Sequence, residues 1–137
     1  MKAVVNRIIP FSSVDGPGNR TAIFLQGCNI DCKYCHNPET RKLCVQCGVC
    51  VKQCPVGALS VGEDGKVVFE PSKCVQCDTC IHVCPHDSSP RTCEMTPEEV
   101  YARVKKQIPF IRGISVSGGE CMLWREFLTE LFRLARK

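Results

Sequence analysis

Eight of the thirteen cysteines fall into two runs of identical spacing, thirty positions apart. Cys44, Cys47, Cys50 and Cys54, followed by Pro55, read C-x2-C-x2-C-x3-C-P, and Cys74, Cys77, Cys80, Cys84 and Pro85 repeat it. Even the filler agrees, since Val45-Gln46 is answered by Val75-Gln76. A segment with a thiol at every third or fourth position has little apolar material for a core, so its fold depends on what the thiols bind. These are metal-ligand spacings rather than a disulfide framework, and the total count of cysteines is odd. Zinc is one occupant that such spacing admits. Two complete runs, each closed by proline, match the iron–sulfur pattern instead.

The double run resembles a bacterial two-cluster ferredoxin, in which the fourth cysteine of each run crosses to the other cluster. That resemblance implies two ligand sets: Cys44, Cys47, Cys50 and Cys84 for one cluster, and Cys54, Cys74, Cys77 and Cys80 for the other. Between the runs, 58–61 and 67–69 alternate around Glu63-Asp64-Gly65, a hairpin signal. After Pro85 the second half departs from the first, with His86-Asp87-Ser88 where Val56-Gly57-Ala58 stands earlier. His82 and His86 need no ligand role, because cysteine fills all eight positions. Cys93 is left over, and a small buried residue near a domain junction is its expected part. The insert is placed at 41–93.

A second cysteine pattern lies upstream. Cys28, Cys32 and Cys35 are spaced C-x3-C-x2-C, with no fourth cysteine at the next natural position. Three thiolates on a four-iron cluster leave one iron open, and an open position marks a catalytic metal site. A zinc knuckle that borrows His36 is the alternative, since ligand chemistry alone does not choose between zinc and iron. The run Thr21–Gln26 before it is apolar and strand-length, as for a strand buried on both faces. It delivers the cysteines at its C-terminal end, where α/β folds place their chemistry.

The flanks of this loop resemble the radical S-adenosylmethionine superfamily, with Tyr34 just before the third cysteine. More narrowly, residues 15–38 are similar to the activating enzymes of glycyl-radical enzymes. Their D-G-x-G-x-R segment is present as Asp15, Gly16, Pro17, Gly18, Asn19 and Arg20. The resemblance implies that Cys28, Cys32 and Cys35 hold a 4Fe–4S cluster whose fourth iron chelates S-adenosylmethionine. It implies that Asp15, Gly16, Pro17, Gly18 and Arg20 hold the glycine loop of a partner enzyme. It also casts Gly118, Gly119 and Glu120, with Tyr34, as cofactor contacts, the glutamate binding the amino group of S-adenosylmethionine. In physical terms, glycines admit close backbone approach and a carboxylate suits an ammonium.

The chain after the insert fits that frame. Thr96-Pro97-Glu98-Glu99 is a helix start, and the helix is expected to run to Ile108. Gly113–Ser117 reads as a second strand, and Leu123, Phe127, Leu128 and Leu131 recur at helical spacing. Residues 3–9 read as an edge strand or an N-terminal arm. Cys121 reads as a small side chain at a strand end. The expected fold is α/β: the first strand–helix units of a partial βα barrel at 1–40 and 94–137, interrupted by the ferredoxin-like insert. A full barrel needs at least roughly 200 residues, and 84 remain outside the insert. The chain is therefore expected to be the N-terminal part of an activating enzyme.

Composition narrows the function classes. Formal charge is +4, but eleven thiolates on three clusters of about +2 each bring it to about −1. No Lys/Arg block or aromatic platform argues for nucleic acid. No stretch has signal-peptide or membrane-spanning length, so a reduced, cytoplasmic, anaerobic setting is expected. Expected cofactors are three 4Fe–4S clusters and S-adenosylmethionine. Expected partners are a glycyl-radical enzyme and a flavodoxin or ferredoxin donor. A non-catalytic electron carrier and an activase of anaerobic ribonucleotide reductase are the alternative functions.

Overall fold

The computed structural model describes all 137 residues. At its centre lies β2 (Arg20–Leu25), in which every residue from Thr21 to Leu25 is buried, as the unbroken apolar run predicts. Strand β6 (Gly113–Gly118) pairs with it in parallel, from Arg20↔Gly113 to Leu25↔Gly118. Parallel neighbours cannot be joined by a tight turn. The connection here carries the three-cysteine loop, the double run and helix α3 (Pro97–Lys105). Helix α4 (Arg125–Ala135) follows β6.

Both helices cover one face of the sheet. Ala3, Val5, Ile23 and Leu25, spaced by two along their strands, form one core cluster with Val100 and Val104 of α3 and Phe127, Leu128 and Leu131 of α4. The start of α3 is fixed by a reciprocal cap. The Thr96 hydroxyl accepts from the Glu99 N–H at 3.2 Å, and the Glu99 carboxylate accepts from the Thr96 N–H at 2.7 Å. The helix ends at Lys105, short of the expected Ile108: Pro109 has no N–H to give the Lys105 carbonyl, and a 3₁₀ turn takes over at Ile108–Phe110.

The N-terminal segment is neither an edge nor an arm. It forms a ten-residue strand, β1 (Ala3–Ser12), antiparallel to β2 on one side and to the short β5 (Cys93–Met95) on the other. The sheet order is β5-β1-β2-β6. Three residues after a loop carry too little pattern to announce β5, and only the neighbouring β1 makes them a strand. Cys93 accordingly lies in the sheet, opposite Val5, and packs against the main core.

The insert has its own small elements: α1 (Val49–Gln53), a hairpin of β3 (Leu59–Val61) and β4 (Val67–Phe69), and α2 (Thr79–His82). Its thirty-residue repeat is stronger in the backbone than in the side chains. Gln46 and Gln76 both have positive φ (63° and 57°), as do Gly48 and Asp78 (75° and 61°). So do Gly57 and Asp87 (65° and 51°), so the repeat continues past Pro85, where the side chains diverge. A non-glycine residue in this region costs about 1–2 kcal/mol. The chain accepts that cost in both halves at Gln46 and Gln76, and in the second half alone at Asp78 and Asp87.

Candidate iron–sulfur and cofactor site

The three-cysteine loop hangs from the C-terminal end of β2 by a narrow neck. The Gly27 N–H donates to the Thr40 carbonyl at 2.7 Å, so the segment between them leaves and returns at one point. Gln26, fully buried, braces that neck. Its side-chain amide donates to the carbonyls of Glu39 and Lys42, each at 2.7 Å, and its Oε1 accepts from Asn6 at 2.9 Å. The Trp124 indole N–H donates to the Gln26 carbonyl at 2.9 Å, so this side chain does more than fill space. Inside the loop, Arg41 pairs with Asp31. Sequence reasoning missed Gln26; the one signal for it was a polar residue closing an apolar run. Gln26→Leu keeps the bulk but strands the Glu39 carbonyl and the Asn6 amide, at about 1–3 kcal/mol for each group left unsatisfied, while the Lys42 carbonyl keeps the Ser88 hydroxyl at 2.7 Å. A loss of about 2–4 kcal/mol in anaerobic urea unfolding is expected; a loss below about 1 kcal/mol would show that water replaces the side chain.

Within the loop, the Ile30 N–H points at Cys28 Sγ from 3.3 Å. The same bond, from residue i+2 back to the cysteine, opens both runs of the insert: Gln46 N–H to Cys44 Sγ and Gln76 N–H to Cys74 Sγ, each at 3.4 Å. All three cysteine loops thus begin with a backbone donor aimed at sulfur. Cys32 is exposed, Cys28 and Cys35 are half-buried, and Tyr34 stands out of the loop with 84% of its surface exposed.

The Gly118-Gly119-Glu120 element is brought directly beside this loop. Past the last ladder pair, the Gly119 N–H donates to the Leu25 carbonyl at 3.1 Å and the Glu120 N–H donates to the Gly27 carbonyl at 2.8 Å. Glu120 is therefore one peptide away from Cys28. Its carboxylate accepts from the Met122 N–H at 2.8 Å, which holds it at the start of the turn that carries Cys121. Burial and then the Glu120 charge push the Cys121 thiol above its ordinary range. The two glycines approach backbone rather than open space: a Cβ on Gly118 would lie 2.1 Å from the Leu25 carbonyl oxygen, and one on Gly119 2.2 Å from that of Gly27.

The Asp15–Arg20 turn lies elsewhere. It joins β1 to β2 at the N-terminal end of β2, roughly 25 Å along the strand from Cys28. Arg20 holds it from within the fold. Its guanidinium donates to Ser115 Oγ at 2.8 Å, the Ile114 carbonyl at 2.7 Å and the Pro17 carbonyl at 3.3 Å. Ser12 Oγ donates to the Asp15 carboxylate at 2.5 Å. Gly16 and Gly18 both have positive φ, and the turn between them is largely exposed.

In the insert, Cys54, Cys74, Cys77 and Cys80 line one small cavity together. This is the crossed set that the ferredoxin pattern implies, drawn from both runs. No three Cys, His, Asp or Glu side chains converge on one point as a single metal ion requires. Cys54 is pulled below its ordinary range chiefly by the Val56 N–H, helped by Ala58, whose N–H lies 3.3 Å from the sulfur. Cys77 is lowered by the Thr79 hydroxyl at 3.3 Å. Burial pushes the Cys50 thiol up to about 11, and thiolates at Cys44, Cys80 and Cys47 push it the same way. Thiols whose pKa donors lower at the rim, and that repel one another within, suit a cationic iron core. The donor set fits 4Fe–4S clusters.

Two family profiles match parts of the chain: a 4Fe-4S dicluster domain over residues 43–88 and a 4Fe-4S single cluster domain over residues 14–56. Full-length comparison finds the isethionate sulfite-lyase activating enzyme of Desulfovibrio desulfuricans, 33% identical over 98% of this chain and 49% of that protein. The benzylsuccinate synthase activating enzyme of Thauera aromatica is 35% identical over 93% of this chain and 44% of its own length. The (2S)-3-sulfopropanediol sulfolyase activating enzyme of Bilophila wadsworthia is 36% identical over 98% of this chain and 50% of its own. The homologues of this chain are glycyl-radical enzyme activating enzymes. They are enzymes of the radical S-adenosylmethionine type, and the chain spans about half the length of these relatives. The similarity covers the three-cysteine loop and the double run alike. No helix in the structure is long and apolar enough to cross a membrane.

Proposed function

We propose that this chain carries the cluster-bearing half of a glycyl-radical enzyme activase, built on the first strands of a βα barrel. The observation that carries this reading is the meeting of two elements at the C-terminal ends of β2 and β6. Cys28, Cys32 and Cys35 would hold a 4Fe–4S cluster with three protein ligands, and the Glu120 N–H donates to the carbonyl of Gly27, the residue just before Cys28. A cluster held there would supply the electron for reductive cleavage of S-adenosylmethionine, the chemistry by which an activase would draw hydrogen from a glycine of its partner.

The chain's own residues do the placing. Cys28, Cys32 and Cys35 hold the cluster, and the Gln26 neck keeps the loop in register with β6. Glu120 offers a carboxylate for the cofactor's ammonium, and Tyr34 borders the same loop. The Asp15–Arg20 turn, held by Arg20, presents Gly16, Pro17 and Gly18 as exposed backbone for the partner's glycine loop. Cys44, Cys47, Cys50 and Cys84, with Cys54, Cys74, Cys77 and Cys80, would hold two further clusters, a route for electrons from a flavodoxin or ferredoxin.

The test is electron paramagnetic resonance on the anaerobically reconstituted, dithionite-reduced chain, with and without millimolar S-adenosylmethionine. The expected result is a changed spectrum for one cluster, absent when Cys28 is replaced by Ala. A spectrum indifferent to the cofactor would sink the proposal and leave an iron–sulfur electron carrier as the reading.

A further inference from the structure

The two halves of the insert repeat one backbone, yet their electrostatic surroundings differ. Arg91 lines the cavity formed by Cys54, Cys74, Cys77 and Cys80, and its guanidinium donates to Asp78 Oδ1 at 2.6 Å. The arginine side chain is only 20% exposed, whereas its aspartate partner is 52% exposed. The arginine backbone is fixed as well, because its N–H donates to the buried Ser89 hydroxyl at 3.2 Å. Burial works against the charge on Arg91, but the Cys74 thiol beside it, and the charges of Cys80 and Asp78, hold the guanidinium above its ordinary value. Reciprocally, Arg91 opposes the burial that pushes Cys80 up.

The first half has no cation so enclosed: the Lys42–Asp87 pair near Cys44 and Cys84 is 3.8 Å apart and exposed on both sides. Thirty positions before Arg91 is Val61, and thirty before Asp78 is Gly48. The charges that act on Cys50 are all thiols. A cluster's potential depends on net charge, solvent exposure and the donors to its sulfurs. Reduction adds one negative charge, which a neighbouring cation stabilises. The exposed carboxylate of Asp78 is screened by water more than the largely enclosed guanidinium is, so the field at the sulfurs is mainly that of the arginine.

We infer that Arg91 is a positioning residue for electrons: it raises the potential of the cluster held by Cys54, Cys74, Cys77 and Cys80 above that of its near-symmetric neighbour. The step affected is a one-electron reduction in which no bond is made or broken. The electron comes from the external donor, and it rests preferentially on the Arg91 side of the pair. This inference rests on the crossed ligand assignment of the proposed function.

The experiment is a redox titration of the reconstituted full chain, followed by electron paramagnetic resonance, with iron measured on every sample. Arg91→Gln should keep its iron and move one midpoint to more negative potential, leaving the others in place. A unit charge about 10 Å from a cluster in an effective dielectric of about 20 alters the reduced-to-oxidised ratio roughly tenfold at fixed potential. For a one-electron couple that is about 59 mV. Arg91→Lys should retain most of the parent value, and Asp78→Asn, whose carboxylate water screens, should move the same midpoint less and the other way. Full iron in Arg91→Gln with every midpoint unmoved, or with all moved together, overturns the inference. If Arg91→Gln loses iron, the neutral Arg91→Met is read in its place, and an unmoved midpoint there overturns it. A parent chain without iron in the insert overturns the ligand assignment itself.

Discussion

Replacing Cys28, Cys32 and Cys35 together by Ala is expected to remove about a third of the iron and all response to S-adenosylmethionine. Three four-iron clusters correspond to about twelve iron and twelve sulfide per chain after anaerobic reconstitution. The triple variant should retain about eight, because the insert's eight cysteines lie within one segment and close on themselves. The structure supports this independence, since Cys54, Cys74, Cys77 and Cys80 line their own cavity away from the three-cysteine loop. The measurement is iron and sulfide by chemical assay, beside the spectrum with and without the cofactor. Stoichiometric zinc in protein purified without oxygen would contradict the assignment at its root. Loss of all iron in the triple variant would show that the loop and the insert assemble as one unit.

The second large effect is expected at Gly119, whose replacement by Ala should separate the ends of β2 and β6. The added methyl would meet the Gly27 carbonyl oxygen at 2.2 Å, the Gly27 carbonyl carbon at 2.7 Å and the Thr40 carbonyl oxygen at 2.8 Å. All three are backbone atoms, so no side chain can swing aside. Relief requires moving the strand end, which breaks the Gly119–Leu25 and Glu120–Gly27 hydrogen bonds. Overpacking at about 1–3 kcal/mol and two backbone bonds at about 1 kcal/mol each sum to about 3–5 kcal/mol. That is a large part of the roughly 5–15 kcal/mol that holds a domain together. Gly118→Ala should be at least as severe, because its Cβ would fall 2.1 Å from the Leu25 carbonyl and its φ of +116° resists any side chain. Anaerobic urea denaturation measures both. A Gly119→Ala chain of parental stability would mean that the strand ends have slack which the geometry does not show.

Glycine at 118 and 119 shows where sequence reading and structure part. The tripeptide with Glu120 is proposed as a cofactor element from its resemblance and its place one βα unit after the cysteines. What the two glycines touch was not legible, because contact with Leu25, Gly27 and Thr40 depends on β6 being the neighbour of β2. Arg20 is a similar case. Its place in the D-G-x-G-x-R pattern identified it, yet its bonds to Ser115 and Ile114 cross 95 and 94 positions of chain. Pattern reading sees spacing along the chain, and such contacts have none.

The sequence by itself determined what is local or periodic. The two ligand runs, the three-cysteine loop, the buried strand Arg20–Leu25 and the start of α3 at Thr96 are each written in a few consecutive residues. Their causes are short-range: thiol spacing suited to iron, an unbroken apolar run, a proline behind a capping hydroxyl. Only the tertiary structure decided that residues 3–12 are an interior strand, that Cys93–Met95 is a strand at all, and that Gln26 clamps the loop neck. It also decided that the repeat persists to Asp87 and that Arg91 stands over one set of thiols but not the other. These depend on which segments become neighbours, and a buried donor or a left-handed turn has no meaning until the partner that requires it is in place.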